Sequence, residues 1–335
     1  MKFHETYNWW QSKRISQEES ARLLGVSIRT FRRYCRSFEA EGLEGLYDAR
    51  LERKASNAAP VDEVMEMLNL FETRYSHFTV AHFYDKYRDE HQGQRSYNWV
   101  RLHLQEGGLV KKAKKRGVHR RKRERSSIRG MLLHQDGSTH EWVKDKYWDL
   151  IVTLDDATSE VYSGFFVEEE GTASSFQGME EVIKEHGLCC SIYTDRGSHY
   201  WNTPKVGGKV DKVNLTQFGR AMQQLGIEMI PAYSPEARGR SERVFGTLQQ
   251  RLVKELELRG ISEMEDANRF LKETYWPTHN KRFAVKPKEE ESAFVPWLDS
   301  TRNLTEILCI QEQRTVAKDN TVSYKGKSLQ IPKQK

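Results

Sequence analysis

No apolar run in the 335-residue chain approaches the roughly 20 residues needed to cross a bilayer. The amino end, MKFHETYNWWQSKR, has no apolar core of the kind that directs export, so a cytoplasmic location is expected. Cysteine is scarce. Cys35, Cys189, Cys190 and Cys309 fall in no metal-ligand spacing, and their expected state is buried and reduced. Nothing in the composition signals disorder, for aromatic residues are plentiful and 8 of them are Trp. The length points to two to four structural units.

The charge is unevenly placed. Residues 1–130 hold 27 Lys and Arg against 17 Asp and Glu, whereas the whole chain has a net charge of only +6. A basic front joined to an acidic back suits an anionic polymer held by one part and worked on by another.

The basic part begins with ISQEESARLLGVSIRTFRRYCRSFEAEGLEGL, which reads as two helices around a tight turn. Ala21, Leu24 and Val26 sit where the helices must pack, Gly25 permits the turn, and Ser27 suits an N-cap. The second helix displays Arg29, Thr30, Arg32, Arg33 and Arg36, while Phe31, Tyr34 and Phe38 form its packing stripe. This is the pattern of a helix-turn-helix whose opening turns reach base edges in a major groove. A helical hairpin with a solvated charged face is the alternative. ASNAAPVDE then reads as a linker or helix entry. Residues 61–110 contain another helical set, ending in a helix that Ser96 would cap and that carries Tyr97, Asn98 and Arg101. It resembles a second helix-turn-helix, with plain helical packing equally open.

Residues 111–125 hold ten Lys or Arg against one Glu. Lys111, Lys112, Lys114, Lys115, Arg116, Arg120, Arg121, Lys122 and Arg123 are the candidate phosphate contacts of this run. Its order would come from neutralising phosphates, with a steep salt dependence. A nuclear-import signal is the rival reading.

From Met131 the pattern changes to strands. Three in succession, a helix closed by Gly187 and a further apolar strand give an α/β sheet whose first strands are antiparallel. A helix and strand follow, then a long helix entered through Pro235. After Trp297 the pattern is β-rich, as in a small barrel. Asp136 interrupts the first strand, where a charge is expensive without a role. Asp195 ends a later strand in YTDRGSHY, and Glu242 opens the long helix. If the strands of Asp136 and Asp195 are neighbours, the two carboxylates meet at one sheet edge and the helix can bring Glu242 to them. Three ionised carboxylates share a small volume only around a cation, and hard divalent ions prefer such oxygen ligands. Asp155 and Asp156 are rival carboxylates, but they fall where a hairpin must turn, and changes there are expected to affect cleavage and joining far less than changes at Asp136, Asp195 or Glu242. His134, His140 and His199 crowd the aspartates without a reliable metal spacing.

The order Asp136, Asp195 within TDRGS and Glu242 within YSPEARGRSERVFGTLQ resembles the DDE transposase and retroviral integrase superfamily. The chain as a whole is similar to bacterial insertion-sequence transposases. The resemblance implies a multidomain protein: helix-turn-helix units at 1–54 and 61–110, a basic linker at 111–129, a ribonuclease H-like integrase-type core at 130–290 and a small all-β barrel at 300–335. It also implies catalysis by Asp136, Asp195 and Glu242 as ligands of two Mg²⁺ or Mn²⁺ ions. Cleavage at transposon ends and strand transfer into target DNA would follow, carried out by a homodimer or larger assembly on double-stranded DNA. One departure is the 46 residues between Asp195 and Glu242, longer than the retroviral pattern. A DNA-binding regulator with a retired core, or a nuclease that does not join strands, are the competing functions.

Overall fold

The computed structural model describes residues 2–48, 59–112, 123–205, 208–233, 239–298 and 303–332, and the chain divides after Asn69 into two compact units. In the first, α1 (Lys2–Gln11), α2 (Gln17–Leu24) and α3 (Ile28–Glu41) enclose a small core. Ser16 and Glu19 close a capping box on α2, and Gly25 ends it at φ +67°, a left-handed conformation that glycine adopts without strain. Ser27 then accepts the Thr30 N–H at 3.1 Å, so α3 starts where its cap dictates. Ala21, Phe31 and Cys35 are buried, with Leu24 and Val26 packed against them. The expected hairpin is present. An unanticipated α1 completes it, laying Phe3 against Phe31, Tyr34 and Phe38.

The division falls within α4 (Val61–Arg74), and α5 (Val80–Asp89) and α6 (Tyr97–Glu106) follow. Ser96 caps α6 through the Trp99 N–H, as its position suggests. The central sheet is built from β1 (Leu133–Val143), β2 (Lys146–Asp155), β3 (Val161–Val167), β4 (Ser191–Thr194) and β5 (Glu228–Pro231), in the order β3-β2-β1-β4-β5. The first three strands are antiparallel, and β4 and β5 run parallel to β1. Helices α7 (Thr172–His186) and α8 (Gln217–Leu225) supply the crossovers. The strand period of two sorts the core into two faces. Leu150, Val152 and Leu154 pack with Leu248, Leu252 and Leu256 of the long helix α9 (Gly239–Leu258). Leu133 and Ile192 pack with Phe176, Met179 and Met222.

Beyond α9 come α10 (Met264–Phe270), a π-helical turn at Leu271–Tyr275 and α11 (Trp276–Phe283). Two asparagines from these helices close the outer edge of β3. Asn268 binds both the N–H and C=O of Phe166 at 2.6 and 3.0 Å, and Asn280 does the same for Val161 at 2.9 and 2.8 Å. Each amide thus supplies the acceptor and donor that a further strand would offer.

After the short α12 (Leu304–Ile307), the expected barrel is represented among the described residues only by a hairpin, β6 (Thr321–Tyr324) and β7 (Lys327–Gln330). All four β7 residues are exposed, and two short strands form no core of their own. The cysteines are free, but only Cys35 and Cys189 are buried. Cys190 is exposed because consecutive residues entering a strand face opposite sides.

Within the second unit, α5 is joined to α9 by charge. Glu255 accepts from His82 at 2.6 Å and Lys86 at 2.9 Å and also pairs with Arg259, while Asp85 binds Arg251 and Arg282. Burial raises the Glu255 carboxyl, but hydrogen bonds from His82 and Lys86 outweigh it and bring the group down to about 2. These residues line a cavity of about 250 Å³ that also holds His279. Burial, aided by the Arg251 charge, pushes the His279 imidazole down to about 4. A depressed histidine is neutral in the fold and protonates on unfolding, so its stability contribution is lost as pH falls from about 6.5 to about 4. The shift corresponds to about 3 kcal/mol. Chemical denaturation across that window should show a steeper decline in the native protein than in His279→Gln. Equal slopes would refute this assignment.

Candidate active site

The register of β1 and β4 decides whether the two aspartates meet. Leu133 pairs with Ile192 and His134 with Tyr193. Asp136 lies two residues farther along β1 and Asp195 two residues farther along the chain, just past the end of β4, so they stand level beside one another. Asp195 Oδ1 accepts the Gly197 N–H at 2.8 Å. The aspartate therefore does form a turn, and the turn holds one carboxylate oxygen in place. Asp136 Oδ1 accepts the N–H of Gly137 at 3.1 Å. Both carboxylates act on the Tyr200 hydroxyl, which burial first and then the charges of Glu170, Asp136 and Asp195 raise well above its ordinary pKa. Tyr200 donates to Gln135 at 3.1 Å, fixing the loop after β4 to β1.

Glu242 is exposed in the first turn of α9. The helix is tied to the sheet on both sides of it. Arg240 Nε reaches Asp156 at 2.8 Å, and Asp156 in turn bonds His134 of β1. Gln249 donates to Ser138 of β1 at 3.1 Å. The helix thus runs in the direction of β1, and Glu242 lies over the stretch that contains Asp136. Among the described residues, no group of three or more His, Cys, Asp or Glu side chains is gathered closely enough to hold a metal. The two aspartates offer hard oxygen donors suited to a divalent ion.

A fourth carboxylate went unanticipated. Glu170, in the loop before α7, lies 3.4 Å from His199 Nε2, and a side chain built at Gly137 would strike its carboxylate. Glu170 is the last of three consecutive glutamates, Glu168–Glu170, and nothing local separates it from its neighbours.

Asp155 and Asp156 do sit at the β2–β3 turn, and both are fully buried. Asp155 accepts from the N–H groups of Gly130 and Thr158 and from the Thr158 hydroxyl. Burial raises the Asp156 carboxyl, but His134, the Ser126 N–H and Arg240 hold it well below the carboxylate range. Changes at either aspartate therefore act on stability, since stranding such donors is costly. His134 is a partner of this structural aspartate, and His140 packs edge-on against Trp142.

Of the proposed DNA contacts, Arg29, Arg32, Arg33 and Arg36 are exposed on α3, with Arg32 also bonded to Gln17 and Thr30 half-buried at the cap. Tyr97 and Asn98 are exposed and Arg101 half-buried on α6, and Lys111 and Lys112 are exposed beyond it. Arg123 is bound to Asp156. Lys114, Lys115, Arg116, Arg120, Arg121 and Lys122 lie outside the described residues.

The profile of a helix-turn-helix domain matches residues 8–55. A Sinorhizobium fredii protein named as a transposase, y4bF, is 31% identical over 323 residues, 95% of this chain and 69% of its own length. The transposase for insertion sequence IS1202 of Streptococcus pneumoniae is 26% identical over 364 residues, 97% of this chain and 77% of its own length. Among solved structures, a simian T-cell lymphotropic virus intasome in complex with the PP2A regulatory subunit B56 gamma covers 76% of this chain and 81% of the matched chain, at 16% identity and a TM-score of 0.40. The catalytic core of HTLV-2 integrase in complex with magnesium covers 43% of this chain and 84% of its own, at 17% identity and a TM-score of 0.34.

Proposed function

The chain belongs to the family of insertion-sequence transposases, and from that premise we propose that it binds the ends of its element, cuts them and joins them to target DNA in a divalent-metal-dependent reaction. The observation that carries this reading is the level placement of Asp136 on β1 and Asp195 just past the end of the neighbouring β4, beneath the helix of Glu242. The donors are all carboxylates, so they fit Mg²⁺ or Mn²⁺ better than a soft metal. Asp136, Asp195 and Glu242 would hold two such ions, which supply Lewis-acid stabilisation of the attacking and departing oxygens of phosphoryl transfer. The buried Tyr200 and its bond to Gln135 keep the Asp195 loop on the sheet.

DNA is held in this reading by α3, by the α6 face and by the basic run after it, which form the two helical readers and the linker. The carboxy-terminal hairpin would belong to a β domain that contacts DNA or a second copy, and paired-end chemistry calls for a homodimer or larger assembly.

The test is a labelled element end incubated with target DNA and Mg²⁺. A joined product supports transposition. Cut but unjoined ends would mark a nuclease, and bound but uncut ends a regulator.

Arg29, Arg32 and Arg33 carry the recognition prediction. Each single change to Ala should weaken end binding by about 1–3 kcal/mol if the residue reads a base, and it should weaken all sequences alike if the residue holds a phosphate. Affinity titrations on the element's ends and on unrelated duplexes separate the two. Unchanged affinity in all three variants would defeat the assignment.

A further inference from the structure

The segment Arg123–Ser126, where the basic run enters the core, is tied by hydrogen bonds to the β2–β3 turn and to Arg240 at the start of α9. Ser126 donates its N–H and its hydroxyl to Asp156 Oδ2 at 2.7 and 3.1 Å. Arg125 spans the Asp156 and Ala157 carbonyls and the Ser159 hydroxyl at 3.0, 3.3 and 2.8 Å. From the opposite side, Arg240 donates to the carbonyls of Arg123 and Glu124 at 3.0 and 2.7 Å and to the Asp156 carbonyl at 3.0 Å. Its Nε meets the Asp156 carboxylate at 2.8 Å. One guanidinium therefore addresses two carbonyls of the incoming segment and both polar ends of one buried aspartate.

An apolar plug would fix a helix to a sheet whatever the chain beside it did. A guanidinium fork differs, because its donors are satisfied only when the carbonyls it matches are seated. Glu242 follows Arg240 by two residues, about 3 Å along the helix axis. Any shift of Arg240 is passed almost unchanged to Glu242.

We propose that Arg240 and Asp156 form a clasp through which the seating of Arg123–Ser126 positions Glu242, so that the DNA-tracking segment and the catalytic helix move as one. The inference rests on the proposed catalytic role of Glu242. Arg240 and Asp156 are positioning residues in it. A misplacement of about 1 Å at a reacting centre costs about 100-fold in rate, so the clasp acts on turnover of a bound end rather than on binding.

The test uses the full chain with Arg240→Lys, which keeps the charge and removes the fork, and Ser126→Ala, which weakens the segment without touching α9. Three quantities are measured: affinity for the element end, single-turnover cleavage at saturating protein, and the rate of tryptic cutting after Arg125. Arg240→Lys should keep its melting temperature within a few degrees and its affinity within about twofold. It should slow cleavage of bound ends about 10- to 100-fold and speed the tryptic cut. Ser126→Ala should show both effects in weaker form, which a merely local role of Arg240 would not produce. Native cleavage by Arg240→Lys, or impaired cleavage in that variant with Ser126→Ala fully native, would overturn the proposal. If the unaltered protein cuts no ends, the functional reading fails and the tryptic rate still decides the clasp. A faster cut in Arg240→Lys supports it, and an unchanged cut refutes it.

Discussion

Replacing Asp195 with Asn should lower cleavage and joining together by on the order of 10²–10³-fold, the scale on which loss of one preorganised charge-stabilising group is felt. The amide oxygen can still accept the Gly197 N–H, so the turn that places the side chain survives and only the charge is lost. Asp136→Asn keeps its bond to the Gly137 N–H in the same way, and Glu242→Gln alters an exposed position in a first helical turn. All three variants should therefore melt like the parent and bind ends like the parent, because the helical readers are untouched. Asp156→Asn is the informative contrast. It is buried under His134, Arg123, Arg240 and Ser126, so its loss should appear first in stability. The assay is cleavage and joining of a labelled end in Mg²⁺ with each variant. Near-normal activity from Asp195→Asn would leave that residue a turn former and nothing more.

A second large effect is expected far from the chemistry. Glu255→Ala removes the shared acceptor of His82, Lys86 and Arg259 and leaves their charge or donors stranded in the interface between α5 and α9. Breaking a buried pair from one side typically costs about 3–5 kcal/mol. Urea unfolding of the two proteins at neutral pH gives the difference directly. The sign with pH follows from the depressed carboxyl: its contribution is complete above about 4.5 and is lost as pH falls toward about 2. A change below about 1 kcal/mol at neutral pH would show that the network is solvated and dispensable.

Local chemistry made the first unit readable, because caps and turns are written in adjacent residues. Ser27, Gly25 and the Phe31 stripe each act within one or two helical turns. The sheet was readable for a related reason: apolar alternation and the closing glycine of α7 mark its elements, Asp195 stands where one of them ends, and Asp136 is a charge inside another. What escaped notice depends on partners distant in the chain. Glu255 meets His82 across 173 residues, and Arg240 meets Arg123 across 117. A pairing of that kind leaves no periodic trace at either end. Asp156 was placed correctly at its turn and underestimated, since a turn aspartate and a buried hub look alike until the neighbours are known. The carboxy-terminal alternation was read as a barrel, yet alternation over two short strands states only a pleat and says nothing of how many strands join it.

The two asparagine amides from α10 and α11 that cap the edge of β3 bear on how copies of this chain could assemble. With the N–H and C=O of Val161 and Phe166 already satisfied by Asn280 and Asn268, this border offers little to an incoming strand, and a continuous sheet running from one copy into the next is blocked there. A working multimer would then be joined through helices or through bridging DNA. Removing both amides would expose a sticky rim, whose signature would be slow growth into fibres rather than a defined complex.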